Sequence, residues 1–265
     1  MRPLYLLAGN SYQNTVKGGE IYRSLKKSQS KTHARILILG DSVGRQLFPT
    51  TQSNKALHSL ACNQAIGMPG HYALLENFYK AGNRADTVLL FYHPLSFRNN
   101  LDQRYTFHYF IKPFFTAEYR HLWTDDVLDA VHKIPFYWLA HFPPVLTSEW
   151  APPYSPNQPN GKAKKAFLSP LSAAYLQKMI DSTESHGSRL VLIPPPISES
   201  RRSEIDSLDA SILENDRLAP LFSTYSDRFI YIPDTEFADG THLINPTPWR
   251  QYFLNHPMLQ PHAAP

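Results

Sequence analysis

The stretch Ala34-Arg-Ile-Leu-Ile-Leu-Gly40-Asp41-Ser42-Val43-Gly44 decides the fold class of this chain. A short apolar, β-branched run that ends in glycine reads as a strand buried on both faces, the type found in parallel sheets. Arg45-Gln-Leu-Phe48 can then start a helix, so the unit is strand, tight turn, helix. Working outward, a second strand is expected over 55–61. It leads through the turn Gly67-Met-Pro-Gly70 into a helix over about 71–81, on which Leu74, Leu75, Phe78 and Tyr79 recur at helical spacing and mark a core face. A third strand is expected at 87–92, and a fourth at 189–193, stopped by Pro194 to Pro196. A short fifth is expected at 228–232. Helices are expected over about 20–27, 170–186, 202–218 and 247–254.

Strands that alternate with helices imply an α/β domain with a parallel sheet, because a right-handed crossover returns each strand beside an earlier one. Five strands suit a flavodoxin-like three-layer sandwich of order 2-1-3-4-5. The expectation is one domain over 1–265, with an N-terminal extension at 1–33 and an insertion or lid at 94–165 after the third strand. In such sheets functional groups collect beyond the carboxyl ends of the strands. Ser42, Gly70, His93, Pro194, Asp239 and His242 all fall there.

Composition narrows the classes. The 265 residues are 42% hydrophobic and 18% charged, a globular balance. The net charge of +4 is modest and the basic residues are scattered, apart from Arg23 to Lys31 and Lys162 to Lys165, so no nucleic-acid partner is expected. The single Cys62, beside Leu60 and Ala61, cannot form an internal disulfide and reads as a small buried hydrophobe. No apolar run reaches the ~18 residues of a membrane span. The apolar stretch at the N-terminus is too short for a signal-peptide core. The compartment therefore stays open between a cytosolic protein and an exported one whose targeting segment has been removed.

Two short motifs carry chemistry. A serine in the turn of Gly40-Asp41-Ser42 can be held exposed at a helix start, with its backbone N–H aimed at an oxyanion. The blander reading is a turn in which Asp41 or Ser42 caps the helix. In Asp239-Gly-Thr-His242, a tight turn favoured by Gly240 lets the carboxylate reach the imidazole three residues on and fix its tautomer. The remaining histidines, His58, His108, His121, His132 and His141, show no ligand spacing, and neither a metal nor an organic cofactor is required. Gly40-Asp-Ser-Val-Gly44 lacks the Gly-Lys-Ser/Thr of a phosphate loop, and although it has Gly-x-Ser-x-Gly spacing, the order Ser, Asp, His with adjacent last members does not favour the α/β-hydrolase pattern.

The serine block after the first strand and the Asp-x-x-His block after the last together resemble the SGNH, or GDSL-type, hydrolase family, over about residues 35–255. The resemblance implies a flavodoxin-like fold, Ser42 as nucleophile, His242 as base, Asp239 as its orienting acid, and acyl-ester hydrolysis or acyl transfer. It also implies an oxyanion hole formed by the N–H groups of Ser42 and a glycine after the second strand, with Gly70 favoured and Gly67 the alternative. The family's third block presents an asparagine after the third strand. This chain has Phe91-Tyr-His-Pro-Leu-Ser96 there, leaving a shorter hole or His93, Asn99 or Asn100 as the substitute, and these three are also the candidate substrate contacts. Tyr105, Phe107, Trp123, Trp138 and other aromatics of the insertion suit either sugar rings in a cleft or an ordinary core. The expected partner is a small ester or an O-acylated polysaccharide. The competing expectation, motivated by the missing asparagine, is a carbohydrate-binding protein that retains this fold without catalysis.

Overall fold

The structure is a computed structural model, which describes residues 19–52, 56–63, 66–99, 117–132 and 166–256. Helix α1 (Gly19–Ser28) precedes β1 (Ile36–Gly40) and the short helix α2 (Ser42–Leu47). Then come β2 (Leu57–Ser59), α3 (Gly67–Lys80) and β3 (Thr87–Phe91), followed by a 3₁₀ turn at Pro94–Arg98. Helices α4 (Asp125–His132) and α5 (Pro170–Ser185) lead to β4 (Arg189–Ile193) and β5 (Ile197–Ser198). Helices α6 (Arg202–Asp206) and α7 (Ala219–Ser226), strand β6 (Tyr231–Ile232) and α8 (Thr247–Leu254) complete the order.

The main sheet is parallel, with strand order β2-β1-β3-β4. Its period-two alternation builds two cores. Leu37, Leu39, Val88, Leu90 and Leu192 face one layer with α3, α5 and α7. Ile36, Ile38, Leu89, Phe91, Val191 and Ile193 face the other, with α2 and α8. The central strands β1 and β3 are buried at every residue, which is why they read from sequence as uninterrupted apolar runs.

The expected five-stranded sheet is corrected to four strands among the described residues. The fifth strand survives only as Tyr231–Ile232, and it pairs in parallel with Ile197–Ser198 rather than with β4. Pro194, Pro195 and Pro196 supply no N–H, so the ladder stops after Ile193 and resumes on the far side of the prolines. The expected helix over 202–218 is also corrected: it ends at Asp206, a 3₁₀ turn covers Ser211–Glu214, and α7 follows. Helix α3 starts four residues earlier than expected, at Gly67, with Pro69 tolerated in its first turn. Most of the expected 94–165 insertion, and with it Asn100 and most of its aromatics, lies outside the described residues. Two of those aromatics that are described, Tyr119 and Trp123, are buried in the larger core.

Candidate active site

The site starts from the pairing of β1 with β3. Gly40 is in register with Phe91, so the chain leaves both strands at the same edge. Gly40 permits this close passage: a Cβ there would stand 2.6 Å from the Phe91 carbonyl oxygen. Asp41 follows and is almost fully buried. Its Oδ1 accepts the N–H groups of Val43 (3.0 Å) and Gly44 (3.1 Å), which makes it the N-cap of α2. Its Oδ2 accepts the His93 N–H (2.8 Å) and the Ser96 hydroxyl (2.9 Å) beyond β3. One carboxylate thus ties the Ser42 turn to the neighbouring strand end. Asp41 thus caps the helix, and Ser42 beside it is half-buried with its side chain outside the cap.

Ser42 opens α2, and its Oγ lies 2.9 Å from His242 Nε2. His242 Nδ1 lies 2.7 Å from Asp239 Oδ2. Asp239 Oδ1 meanwhile accepts the backbone N–H groups of Thr241 (3.0 Å) and His242 (2.7 Å), closing the turn over Gly240 at φ 75°. The His242 N–H contributes most to holding the Asp239 carboxyl below its ordinary range, joined by the imidazole and the Thr241 N–H. An ionised Asp239 fixes Nδ1 as the protonated nitrogen, which leaves Nε2 free to accept the Ser42 proton.

Two residues that sequence reading missed hold these halves together across some 200 positions. Gln46 donates to the Leu243 carbonyl (2.8 Å) and accepts the Leu243 N–H (3.0 Å), pinning the residue after His242 to α2. Gln46 is four residues from Ser42, hence on the same helix face. Arg250 on α8 donates to the carbonyls of Leu47 and Gln46, closing the C-terminal end of α2. Neither has a local sequence signal, because each bonds backbone groups distant in the chain.

The other expected site residues divide. Gly67 opens α3 at φ 59°, so a first-turn N–H there has no partner within the helix. Gly70 lies one turn in, where the α-helical pattern commits its N–H to the Ile66 carbonyl, and a Cβ would stand 2.6 Å from Ile66 Cβ. Its glycine is therefore a packing requirement, and the placement favours Gly67 over Gly70 as an oxyanion donor. His93 is buried beside the site, its Nδ1 accepting the Leu95 N–H at 3.2 Å. The Asn99 backbone carbonyl accepts the hydroxyls of Ser169 and Ser172 at the start of α5. Cys62 is buried, and burial pushes its thiol up to about 12, in keeping with an inert core residue.

A cavity of about 590 Å³ lies away from Ser42, where Arg189 starts β4 beside Asp216 and Arg217. It holds no nucleophile–base pair, and the chemistry favours the Ser42 edge. Among the described residues no group of three or more His, Cys, Asp or Glu side chains is placed to hold a metal ion, and no helix is long and apolar enough to cross a membrane. Comparison with protein-family models, curated proteins and solved structures finds no match to this chain.

Proposed function

We propose that this protein is a serine-dependent acyl-ester hydrolase or O-acyltransferase of the SGNH type, acting through an acyl-Ser42 intermediate, with an O-acylated carbohydrate as substrate. The observation that carries the reading is the continuous relay from Asp239 to His242 Nδ1 (2.7 Å) and from His242 Nε2 to Ser42 Oγ (2.9 Å). Nucleophile, base and orienting acid are within hydrogen-bond reach in the order that serine acyl transfer needs.

In this mechanism Ser42 Oγ bonds to the ester carbonyl carbon as its proton passes to His242 Nε2. The carbonyl electron pair moves onto oxygen, where the Ser42 N–H and a first-turn N–H of α3 stabilise it. Collapse breaks the bond to the leaving alcohol, which takes the proton from His242. Water, or a sugar hydroxyl, then attacks the acyl-Ser42 with His242 again as base. The relay is open at its rim, with the Asp239 side chain 56% and the His242 side chain 38% exposed, an opening that suits a bulky acceptor.

Hydrolysis of p-nitrophenyl acetate by the full chain and by Ser42→Ala tests the nucleophile. Turnover is expected for the first and a loss to background for the second, and equal turnover would remove the proposal. Release of acyl groups to water compared with transfer to an oligosaccharide separates hydrolase from transferase.

A further inference from the structure

The third-strand edge of the site carries His93, which takes no part in the acyl-transfer steps. His93 follows β3 by two residues, as Ser42 follows β1, and Gly40 and Phe91 are paired in register. The two side chains therefore leave adjacent strands at the same edge, about 5 Å apart in the sheet direction. The shared Asp41 carboxylate, which takes the N–H groups of Val43, Gly44 and His93, holds both turns in place.

The tautomer of His93 is set by its neighbour. A backbone N–H can only donate, so the Leu95 N–H at 3.2 Å makes His93 Nδ1 the acceptor. The ring proton of the neutral imidazole then sits on Nε2. This Nε2 is buried and has no hydrogen-bond partner among the described residues. Capping the Pro94–Arg98 turn accounts for Nδ1 and leaves Nε2–H unexplained, and a buried donor without an acceptor is costly enough to require a reason. Burial lowers the His93 pKa to about 4 against a partly opposing pull from Asp41, and Arg201 and His242 are among the charges that lower it further. The ring is therefore neutral near pH 7, a hydrogen-bond donor that does not compete with His242 for the Ser42 proton.

We propose that His93 is an oxyanion donor of the Ser42 site, its Nε2–H accepting no proton and giving none, but donating a hydrogen bond to the substrate carbonyl oxygen as the tetrahedral intermediate forms. This rests on the acyl-Ser42 reading above. The imidazole N–H then takes the place of the side-chain amide that the sequence lacks after the third strand, and the buried, unmatched donor is matched only when negative charge develops on the substrate. Packing holds the ring in place, and because Nε2 is covered in the unliganded site, the substrate carbonyl must open that cover to reach it.

The test uses the full-length chain with p-nitrophenyl acetate and three forms: unaltered, His93→Ala and His93→Asn. The expected result is a kcat lower by about 10²–10³-fold in His93→Ala with little change in KM, the signature of a contact made only in the transition state. Partial recovery is expected in His93→Asn, which restores an N–H donor. Imidazole ¹⁵N NMR of the unaltered protein gives a readout that does not depend on the variants folding. It should show His93 neutral and protonated at Nε2, and the Nε2–H resonance should move when a fluorophosphonate places a phosphonyl oxygen on Ser42. Unchanged kcat in a folded His93→Ala protein, a ring protonated at Nδ1, or an Nε2–H indifferent to the adduct would each overturn the proposal while leaving acyl-Ser42 chemistry intact. Absence of both turnover and adduct in the unaltered protein would overturn the acyl-Ser42 reading, and the role of His93 with it.

Discussion

Asp41→Asn is the substitution that most directly probes how the site is assembled. The carboxylate accepts four hydrogen bonds, from the Val43, Gly44 and His93 N–H groups and the Ser96 hydroxyl, in a nearly fully buried position. An amide keeps the shape but offers one accepting oxygen, so its NH₂ must face two of these donors. The cheaper orientation turns NH₂ toward His93 and Ser96, because the Ser96 hydroxyl can rotate and accept while the His93 backbone N–H cannot. One buried N–H is then left unmatched, at about 1–3 kcal/mol, and the two bonds kept at Val43 and Gly44 each lose the charge assistance worth about 1 kcal/mol. The expected loss is therefore about 3–5 kcal/mol, a large share of a typical stability of ~5–15 kcal/mol. Urea unfolding at pH 7 followed by tryptophan fluorescence gives the stability difference. Amide hydrogen exchange should localise the loosening to Val43, Gly44 and His93. A loss below ~1 kcal/mol, with those amides still protected, would show that the carboxylate is not what joins the two strand ends.

Three further outcomes follow from single contacts. Asp239→Asn should keep an acceptor for the Thr241 and His242 N–H groups yet lower kcat by on the order of 10⁴-fold, because a neutral amide neither fixes the imidazole tautomer nor stabilises the imidazolium; steady-state kinetics would check it, and an unchanged kcat would break the relay argument. Gly44→Ala places a Cβ 2.8 Å from the Phe91 carbonyl oxygen and 3.0 Å from Phe91 Cβ, so α2 must move off β3, with an expected loss of about 1–3 kcal/mol in thermal unfolding and reduced labelling of Ser42 by a fluorophosphonate. His71 is fully buried in α3, edge-on to Tyr92, with neither ring nitrogen partnered among the described residues, and burial lowers its pKa to about 3. Its folded pKa lies below the unfolded value of about 6.5, so its contribution is complete above that value and is lost as pH falls toward 3, at about 1.4 kcal/mol per unit, or about 2 kcal/mol by pH 5. Urea unfolding at pH 7 and pH 5 should show His71→Phe losing less stability than the unaltered protein, and identical pH dependence would refute the buried neutral imidazole.

Strand legibility followed burial. β1 and β3 were readable because central parallel strands must be apolar on both faces, and Ile36–Gly40 and Thr87–Phe91 are such runs; β4, at one edge, still carries the apolar run Leu190-Val-Leu-Ile193. The second strand shrank to Leu57–Ser59, an edge position with less need for continuous apolar sequence. The fifth was misplaced because three prolines were read only as a stop, although the chain beyond them resumes pairing at Ile197–Ser198. The resemblance favours Gly70, with Gly67 the alternative, and no local sequence signal separates their backbone roles. Only the start of α3 shows that Gly67 supplies a left-handed residue whose N–H has no partner within the helix, while Gly70 makes room for Ile66.

By itself the sequence determined the α/β class, the position of Ser42 after the first strand, and the local turn that brings Asp239 to His242. All of these rest on contacts within a few residues, where periodicity, glycine and spacing act directly. Only the tertiary structure decided that His242 stands 2.9 Å from Ser42, 200 residues away in the chain. Gln46, Arg250 and Asp41 hold that distance through bonds to backbone groups on other elements. The tautomer of His93 was decided in the same way, by the Leu95 N–H and by the burial of Nε2. A hydrogen bond depends on where two groups meet in space, and for groups on separate strands and helices that is set by packing of the whole sheet rather than by their spacing along the chain.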